Sequence, residues 1–370
     1  MDSNHIGPER ARSKSRTLKL LIVAAILGGS LVAGAAPAGA AVWRPFSATS
    51  PWNIPAAQKG SVTSSNPYGS QFTSYASSLE LSGVAPDNQW AKPIFFAKAG
   101  DPEYRWTDTN GWPKGDIRYG GEPIPMPAGA KQATGSDGHL TIVTADRRYA
   151  YDMWRANVST RSAEAIVRFD LAGSGVPGVQ TSNTSARGSG TPIIPTTIRA
   201  EEAVSGIEHA LGLTVPRVAS SYIWPATHSD GSSGSIKYGM LFVLRADFPV
   251  PANASLGERN IIAALKTYGA YVVDQGASMG LDADSNRADL WSQAGMLGDA
   301  SMPIRAEALG PVKAPVPPPA PAPQPSPGPG TSPETGTGGA TKCTRRRARQ
   351  GKCTRATSAS KKQRARKRRA

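Results

Sequence analysis

Glycine and proline recur at short intervals through the middle of this chain, and this spacing limits the folds that the chain can adopt. The sequence contains 39 Gly and 32 Pro, and many segments between positions 41 and 310 alternate apolar and polar residues. Alternation is the pattern of a half-buried strand, whereas Gly, Pro, Ser and Asn favour turns and loops. We therefore expect a mainly β fold, a single β-sandwich or jelly-roll-like domain.

Two segments depart from that pattern and predict helices. Residues 197–205 form a short helix-favouring run that ends at Gly206. Residues 256–268 place apolar side chains at helical spacing and end at Gly269. Glycine readily adopts the left-handed conformation that follows a helix C-terminus, so it is a common stop signal. The expected domain thus contains one or two short helices.

Composition divides the chain into four parts. Residues 1–40 contain a basic stretch, an apolar run and the small residues Ala38-Gly39-Ala40, which predict a cleaved export signal; the alternative is an uncleaved membrane anchor. Residues 41–310 are the β-rich globular domain, 311–340 a Pro/Gly-rich linker and 341–370 a basic tail. Like charges at high density repel, so we expect a disordered tail. The signal predicts a secreted, extracellular protein that is either free or associated with the cell envelope.

The positive charge belongs to the ends of the chain. The formal net charge is +15, but residues 41–310 carry 22 basic and 24 acidic residues. The globular domain is therefore not a basic nucleic-acid-binding domain. The tail is suited to polyanions, and we favour anionic envelope polymers as its partners. Both cysteines, Cys343 and Cys353, lie in the tail, so the domain has to be stable through burial without disulfides.

Three of the four histidines occur in compact polar motifs of the domain. Thr227-His228-Ser229-Asp230-Gly231 lies in a Gly/Ser-rich loop after a predicted strand that ends near Trp224. Histidine titrates near neutral pH, and loops fixed between strands often carry functional groups. His228 is thus the candidate acid/base, with Asp230 to orient it and Trp224 as a substrate contact. The alternative is a solvated turn in which Asp230 and the following glycine supply the bend.

His209 has two interpretations. Strand alternation puts it in an apolar stripe, which favours a buried structural histidine. In the catalytic interpretation, His209 acts beside Glu208, and Glu208 is a second acid/base. Asp274, at a predicted strand end, would complete a glycosidase carboxylate pair with Glu208 or be a structural turn residue.

A predicted hairpin contributes the third histidine. If Thr144 pairs with Tyr149, then His139, Asp152 and Trp154 share one face. A histidine, an acid and a tryptophan on one face are typical of a carbohydrate platform, where the ring meets a sugar and polar groups bind hydroxyls. The alternative is an ordinary solvent-exposed face. A register slip of one residue would move the whole set to the other face.

The sequence leaves the cofactor unknown. Residues 282–286 have the Asp-x-Asp-x-Asn spacing of a calcium loop, but Arg287 and Gln293 stand where such a loop needs glycine and glutamate. The three histidines could form a metal site, yet their spacing neither supports nor excludes one. No residue is therefore assigned as a metal ligand.

These motifs together resemble a group of secreted actinobacterial-type proteins. The resemblance spans nearly the whole domain, and the tail resembles the basic C-termini of exported proteins of such bacteria. No activity is established for the group, so the resemblance assigns no catalytic residue. The shared pattern is Ser50-Pro51-Trp52-Asn53, Gly135-Ser136-Asp137-Gly138-His139-Leu140, Tyr151-Asp152-x-Trp154, Ile207-Glu208-His209-Ala210-Leu211, Pro225-Ala226-Thr227-His228-Ser229-Asp230-Gly231 and Ala264-Leu265-Lys266-x-Tyr268-Gly269 with Asp274.

The sequence predicts two functions of different classes. The first is an exported enzyme that acts on cell-envelope or environmental polysaccharide, either a glycoside hydrolase or a polysaccharide lyase, with histidine acid/base chemistry. The second is a non-catalytic glycan-binding or wall-associated protein held by its basic tail. An enzyme releases product, whereas a binding protein retains the intact glycan.

Overall fold

The computed structural model describes residues 43–63, 65–112, 117–177, 186–298 and 301–313. The predicted export signal, the basic tail and nearly all of the linker lie outside these residues. The described ranges hold fourteen strands and four α-helices. The predicted mainly β fold is thus confirmed.

Strands and short helices alternate irregularly along the chain. None of the helices in the described ranges combines the length and the apolar character needed for a membrane crossing. The strands are β1 Ser78–Ser82, β2 Ile94–Phe96, β3 Glu103–Tyr104, β4 Thr107–Trp112, β5 Ile124–Pro125, β6 Leu140–Val143, β7 Tyr149–Trp154, β8 Ser162–Asp170, β9 Leu211–Val215, β10 Leu241–Leu244, β11 Ala270–Gln275, β12 Gly280–Asp282, β13 Ser301–Arg305 and β14 Leu309–Pro311. The helices are α1 Gly69–Tyr75, α2 Ala200–Ser205, α3 Leu256–Thr267 and α4 Ala288–Gln293, with 3-10 turns at Ala56–Gln58 and Ala306–Ala308.

The helices α2 and α3 are the two that the sequence predicts. Helix α3 begins with a capping box, in which Ser255 Oγ accepts from the Glu258 amide at 3.2 Å and Glu258 Oε2 accepts from the Ser255 amide. The prediction of one or two helices was too low, because α1 and α4 also form. Both are short, and neither begins with a side-chain cap, so they lack the usual start signal.

Two large sheets build the domain. The seven-stranded sheet has the order β13-β1-β12-β9-β11-β10-β14, and the five-stranded sheet has the order β2-β6-β7-β8-β4. Both are mixed: β1 runs parallel to β12, β9 to β11, β2 to β6 and β4 to β8, while β6, β7 and β8 form an antiparallel meander. Strands β3 and β5 form a separate pair.

Alternating side chains pack the two sheets face to face. Val143 and Ala150 of the five-stranded sheet belong to the same buried cluster as Val243, Tyr271 and Val273 of the seven-stranded sheet. The intervening residues of β10 and β11 point the other way, into a cluster with the residues of α3. The outer face of the five-stranded sheet packs against a third cluster that includes Trp106 and Tyr119. Both faces of β6, β7, β9, β10 and β11 are thus covered over most of their length, as expected for strands that are rich in apolar residues.

The predicted hairpin forms in the predicted register. The Thr144 amide donates to Tyr149 O at 2.9 Å. The pairs Ile142–Tyr151 and Leu140–Met153 follow from it. The exposure predicted for the face that carries His139 and Asp152 is wrong, however, because that face packs between the sheets: Asp152 is 0% and His139 3% exposed. A hairpin sequence specifies register but not the layer that covers it.

Candidate functional site

A cleft of about 470 Å³ opens beside strands β1, β9, β11 and β12. Residues from the loop between β1 and β2 and from the loop before β6 complete its wall. The polar and aromatic side chains of this wall include Trp90, Lys92, Asp137, Asp274, Gln275 and Asp282.

A β-bulge places Asp274 at this cleft. Strand β11 pairs with β9 in one register up to Val272, and the register shifts between Val272 and Asp274. Bulges re-aim a side chain relative to strict alternation. Asp274 is consequently in the cleft wall, with 16% of its side chain exposed, at the end of a strand whose preceding residues are all buried.

Lys92 and Asp274 form an ion pair in the cleft wall. Lys92 Nζ lies 3.6 Å from Asp274 Oδ2, and only 6% of the lysine side chain is exposed. Burial raises the pKa of the Asp274 carboxyl above its ordinary value. The charges of Lys92 and Arg187 work against this increase, while those of Asp282 and Asp137 add to it. Asp274 is therefore a carboxyl that holds its proton to higher pH than an exposed aspartate.

A second ion pair lies deeper. Arg187 Nη2 is 3.2 Å from Asp282 Oδ2, and both side chains are fully buried. Gly212 makes room for this carboxylate, since a Cβ at that position would lie 2.6 Å from Asp282 Oδ2. Asp282 Oδ1 has no hydrogen-bond partner among the described residues, although the residue lines the cleft. Together with His139, these two ion pairs are called the cleft cluster below.

His139 lies behind the cleft rather than in it. Burial lowers the pKa of its ring well below the ordinary value, and the charges of Lys92 and Arg187 lower it further. The ring is therefore neutral at pH 7. Its Nδ1 is buried without a hydrogen-bond partner among the described residues. The prediction that His139 meets a sugar on an exposed face is corrected, because the ring is enclosed between the sheets.

Asp152 is likewise a buried link and not an exposed sugar contact. Its Oδ1 accepts from Thr141 Oγ1 at 2.7 Å, and its Oδ2 accepts from the Ile193 amide at 2.8 Å. Burial raises the pKa of the Asp152 carboxyl, and these two hydrogen bonds partly offset the increase. Asp152 thus ties β7 to the segment that follows residue 186.

Of the two predicted tryptophan contacts, Trp154 is the one connected to the cleft. Its Nε1 donates to Asp137 Oδ1 at 3.4 Å, and the Arg155 guanidinium lies over its ring at 4.4 Å. Trp154 therefore positions a cleft carboxylate. Trp224 is half-buried and is not part of the cleft wall.

His228 is half-buried and is not among the residues that line the cleft. Its Nδ1 lies 3.0 Å from Gly188 O, so Nδ1 carries a proton and Nε2 is the nitrogen left for chemistry. The prediction that Asp230 orients His228 is wrong. Asp230 Oδ1 accepts instead from Tyr238 Oη at 2.8 Å and from Gln275 Nε2 at 3.4 Å. Since Gln275 lines the cleft, this loop contacts the cleft through Asp230.

His209 belongs to a different, closed cluster. Its Nε2 lies 3.1 Å from Glu202 Oε2, and its Nδ1 lies 2.9 Å from Ala210 O. Arg199 Nη2 donates to Glu202 Oε1, and at most 1% of each of the three side chains is exposed. Burial alone would raise the pKa of Glu202, but Arg199 and His209 together hold it below its ordinary value. Arg199, Glu202 and His209 are called the closed cluster below.

The predicted burial of His209 is confirmed, but Glu208 is not its partner. The Glu208 side chain is 55% exposed and lies 4.0 Å from Arg44 Nε. A helix that begins at Ala200 places Glu202 at its third position, where a carboxylate reaches back to the N-terminus. A glutamate at the third helical position is the feature of the sequence that pointed to Glu202 as the partner of His209.

The three histidines thus do not share a contact among the described residues. The described residues contain no group of three or more His, Cys, Asp and Glu side chains placed to hold a metal ion. Asp284, within the calcium-like spacing, accepts from the Ile94 and Asn286 amides, and burial raises its pKa to about 7. Asp137 was visible in the motif before His139, whereas nothing in the sequence indicated Trp90 or Lys92.

Comparison with protein-family models, with curated proteins and with solved structures finds no significant match. A functional assignment therefore has to rest on the geometry and electrostatics of the cleft.

Proposed function

We propose that the cleft binds a polysaccharide and hydrolyses its glycosidic bonds. The observation that carries this proposal is a pair of unlike carboxyl groups in one cleft: Asp274, whose pKa is raised by burial, and Asp137, close enough for its charge to act on Asp274. Glycosidic hydrolysis needs one carboxyl that is protonated and one that is ionised. Burial that raises the pKa of Asp274 suits this carboxyl to the protonated role.

Asp274 would be the general acid in this mechanism. It would donate a proton to the leaving oxygen, and the adjacent Lys92 ammonium would stabilise the carboxylate that remains. Asp137, held by Trp154 Nε1, would activate the attacking water or attack the sugar directly. Trp90, 45% exposed at the cleft, offers an apolar ring to the C–H face of a sugar.

A non-catalytic glycan-binding cleft is the second candidate. The exposed Trp90 beside polar side chains supports binding as well as it supports turnover. Under this alternative the cleft variants lower affinity and no product forms.

We also propose, from the sequence, that the chain is exported and that residues 341–370 bind anionic envelope polymers. Raising the salt concentration should then release the full chain from acidic wall fractions.

The decisive experiment incubates the purified full chain with neutral, acidic and amino polysaccharides. Reducing ends report hydrolysis, and ultraviolet absorbance of unsaturated products reports elimination. Asp274→Asn and Asp137→Asn should abolish reducing-end release. His228→Ala tests the histidine mechanism, which requires the same loss. Asp170→Asn, which removes a charge from a surface ion pair with Arg148, is the matched control.

Four outcomes separate the candidates. Product that disappears in the two cleft variants but persists in the His228 variant supports the carboxyl mechanism. Product that disappears only in the His228 variant overturns it. Binding without product across the panel favours the glycan-binding alternative, and an absence of both binding and product rejects the cleft as a glycan site.

A further inference from the structure

We propose that the glycan bound by this cleft carries free amino groups. This inference rests on the proposed function and adds the chemical class of its substrate. Its basis is the charge of the cleft wall, in which carboxylates outnumber cations. The lining carboxylates are Glu80, Asp87, Asp137, Asp274 and Asp282, and the lining cation is Lys92.

The cations near the cleft are already paired. Lys92 lies 3.6 Å from Asp274, and Arg187, behind the wall, lies 3.2 Å from Asp282. Those contacts neutralise two of the five carboxylates. Lys92 is the one cation among the described lining residues, so the cleft keeps an excess of negative charge whether Asp274 is ionised or, as the proposed hydrolysis needs, protonated. A uronate carboxylate would enter a site that is itself negatively charged, and it could bind a cation there only by breaking one of these ion pairs.

The remaining carboxylates are open to a cationic ligand. Glu80 and Asp87 are exposed at the cleft, and Asp137 is half-buried. Deeper in the wall, the fully buried Asp282 Oδ1 has no hydrogen-bond partner among the described residues. Buried polar atoms normally have a partner, so this oxygen is available to a donor that the protein does not provide. A protonated amine supplies both the charge and the N–H groups.

The same wall sets the position of the substrate. Trp90 offers its ring to the apolar face of the sugar, and the carboxylates line the same cleft. An amino sugar presents these two features together, an apolar C–H face and a charged amino group. A fully N-acetylated sugar keeps the first feature and loses the second, so the comparison between them isolates the charge.

The test measures binding of the full chain to a glucosamine tetrasaccharide and to its N-acetylated counterpart. We expect at least tenfold tighter binding of the free-amine form at 50 mM salt and a smaller ratio at 500 mM salt. Glu80→Gln combined with Asp87→Asn should lower the ratio at least threefold. Asp247→Asn with Asp289→Asn, whose side chains are 77% and 65% exposed on other surfaces, makes the same charge change and should leave the ratio unaltered.

The outcomes distinguish this inference from the function on which it rests. Equal binding of the two tetrasaccharides, or tighter binding of the acetylated one, overturns the inference and leaves a glycan cleft standing. A preference for the free amine that survives the cleft variants also overturns it, because the charge would then act elsewhere. If neither tetrasaccharide binds, and no glycan of the panel binds or is cleaved, both proposals fail.

Discussion

The closed cluster and the cleft cluster use the same residue types for opposite purposes. In the closed cluster, both ring nitrogens of His209 face oxygen acceptors, and both oxygens of Glu202 have partners. At most 1% of each side chain is exposed, and none of the three lines the cleft. Such a cluster holds helix α2 to the start of β9.

The cleft cluster differs by its contact with a cavity, since Arg199 Nη1 of the closed cluster also lacks a hydrogen-bond partner among the described residues. Asp282 Oδ1 and His139 Nδ1 lack hydrogen-bond partners among the described residues, and Asp274 is partly exposed to a cavity. Hydrogen bonds that the protein leaves unmade at the wall of a cavity are available to a ligand. A histidine beside a carboxylate is therefore not by itself a site. Contact with a cavity makes the distinction.

The largest effect expected from this comparison is on stability at the closed cluster. Glu202→Gln should lower the free energy of unfolding by about 3–5 kcal/mol, because Arg199 stays buried without its buried carboxylate partner. Urea denaturation of the full chain measures the change. Glu201→Gln is the matched control: it removes the longer ion pair of the same arginine, in which a 45% exposed carboxylate lies 3.8 Å from Arg199 Nε, and should cost less than about 1 kcal/mol. Equal costs for the two variants would show that the cluster is not closed.

The next effect is on turnover at the cleft cluster. Asp274→Asn should lower the rate of glycan hydrolysis about 100-fold or more, since a general acid contributes at least that much. In the wild type the rate should fall as pH rises through the raised pKa of Asp274, because only the protonated carboxyl donates. A pH–rate profile checks this limb. If Asp274→Asn hydrolyses glycan at the wild-type rate with an unchanged pH–rate profile, Asp274 is not part of the mechanism.

The local part of this contrast could be predicted from the sequence. Turn spacing and alternation gave the β6–β7 register, and helical spacing with a glycine stop gave α3. The apolar neighbours of His209 predicted its burial. Each of these signals spans only a few consecutive residues, so it can be recognised in the sequence alone.

The rest depends on contacts between distant segments. Lys92 meets Asp274 across 182 positions, and Asp152 accepts from the Ile193 amide across 41. No local pattern specifies which layer covers a hairpin face, so His139 and Asp152 were expected at the surface. The bulge before Asp274 also breaks the alternation on which sequence interpretation relies.

A smaller effect concerns the neutral histidine of the cleft cluster. The folded-state pKa of His139 lies below that of the unfolded chain, about 6.5, so the unfolded state binds the extra proton first. The stability that the neutral His139 ring contributes is complete above about pH 6.5 and is lost as the pH falls below that value. The slope should approach about 1.4 kcal/mol per pH unit. Urea midpoints between pH 5 and 8 should show a shallower dependence for His139→Asn, and an unaltered slope would contradict the assignment.

The smallest effect tests the open side of the cleft. Trp90→Ala should weaken glycan binding about fivefold, close to 1 kcal/mol, and leave the free energy of unfolding nearly unchanged, because the ring is 45% exposed. Trp224→Ala is the informative counterpart. Trp224 was predicted from the sequence to contact substrate, yet it is half-buried outside the cleft wall, so its loss should affect stability more than affinity. If Trp224→Ala weakens glycan binding more than Trp90→Ala does, the glycan binds beside the His228 loop, and the cleft cluster is not its site.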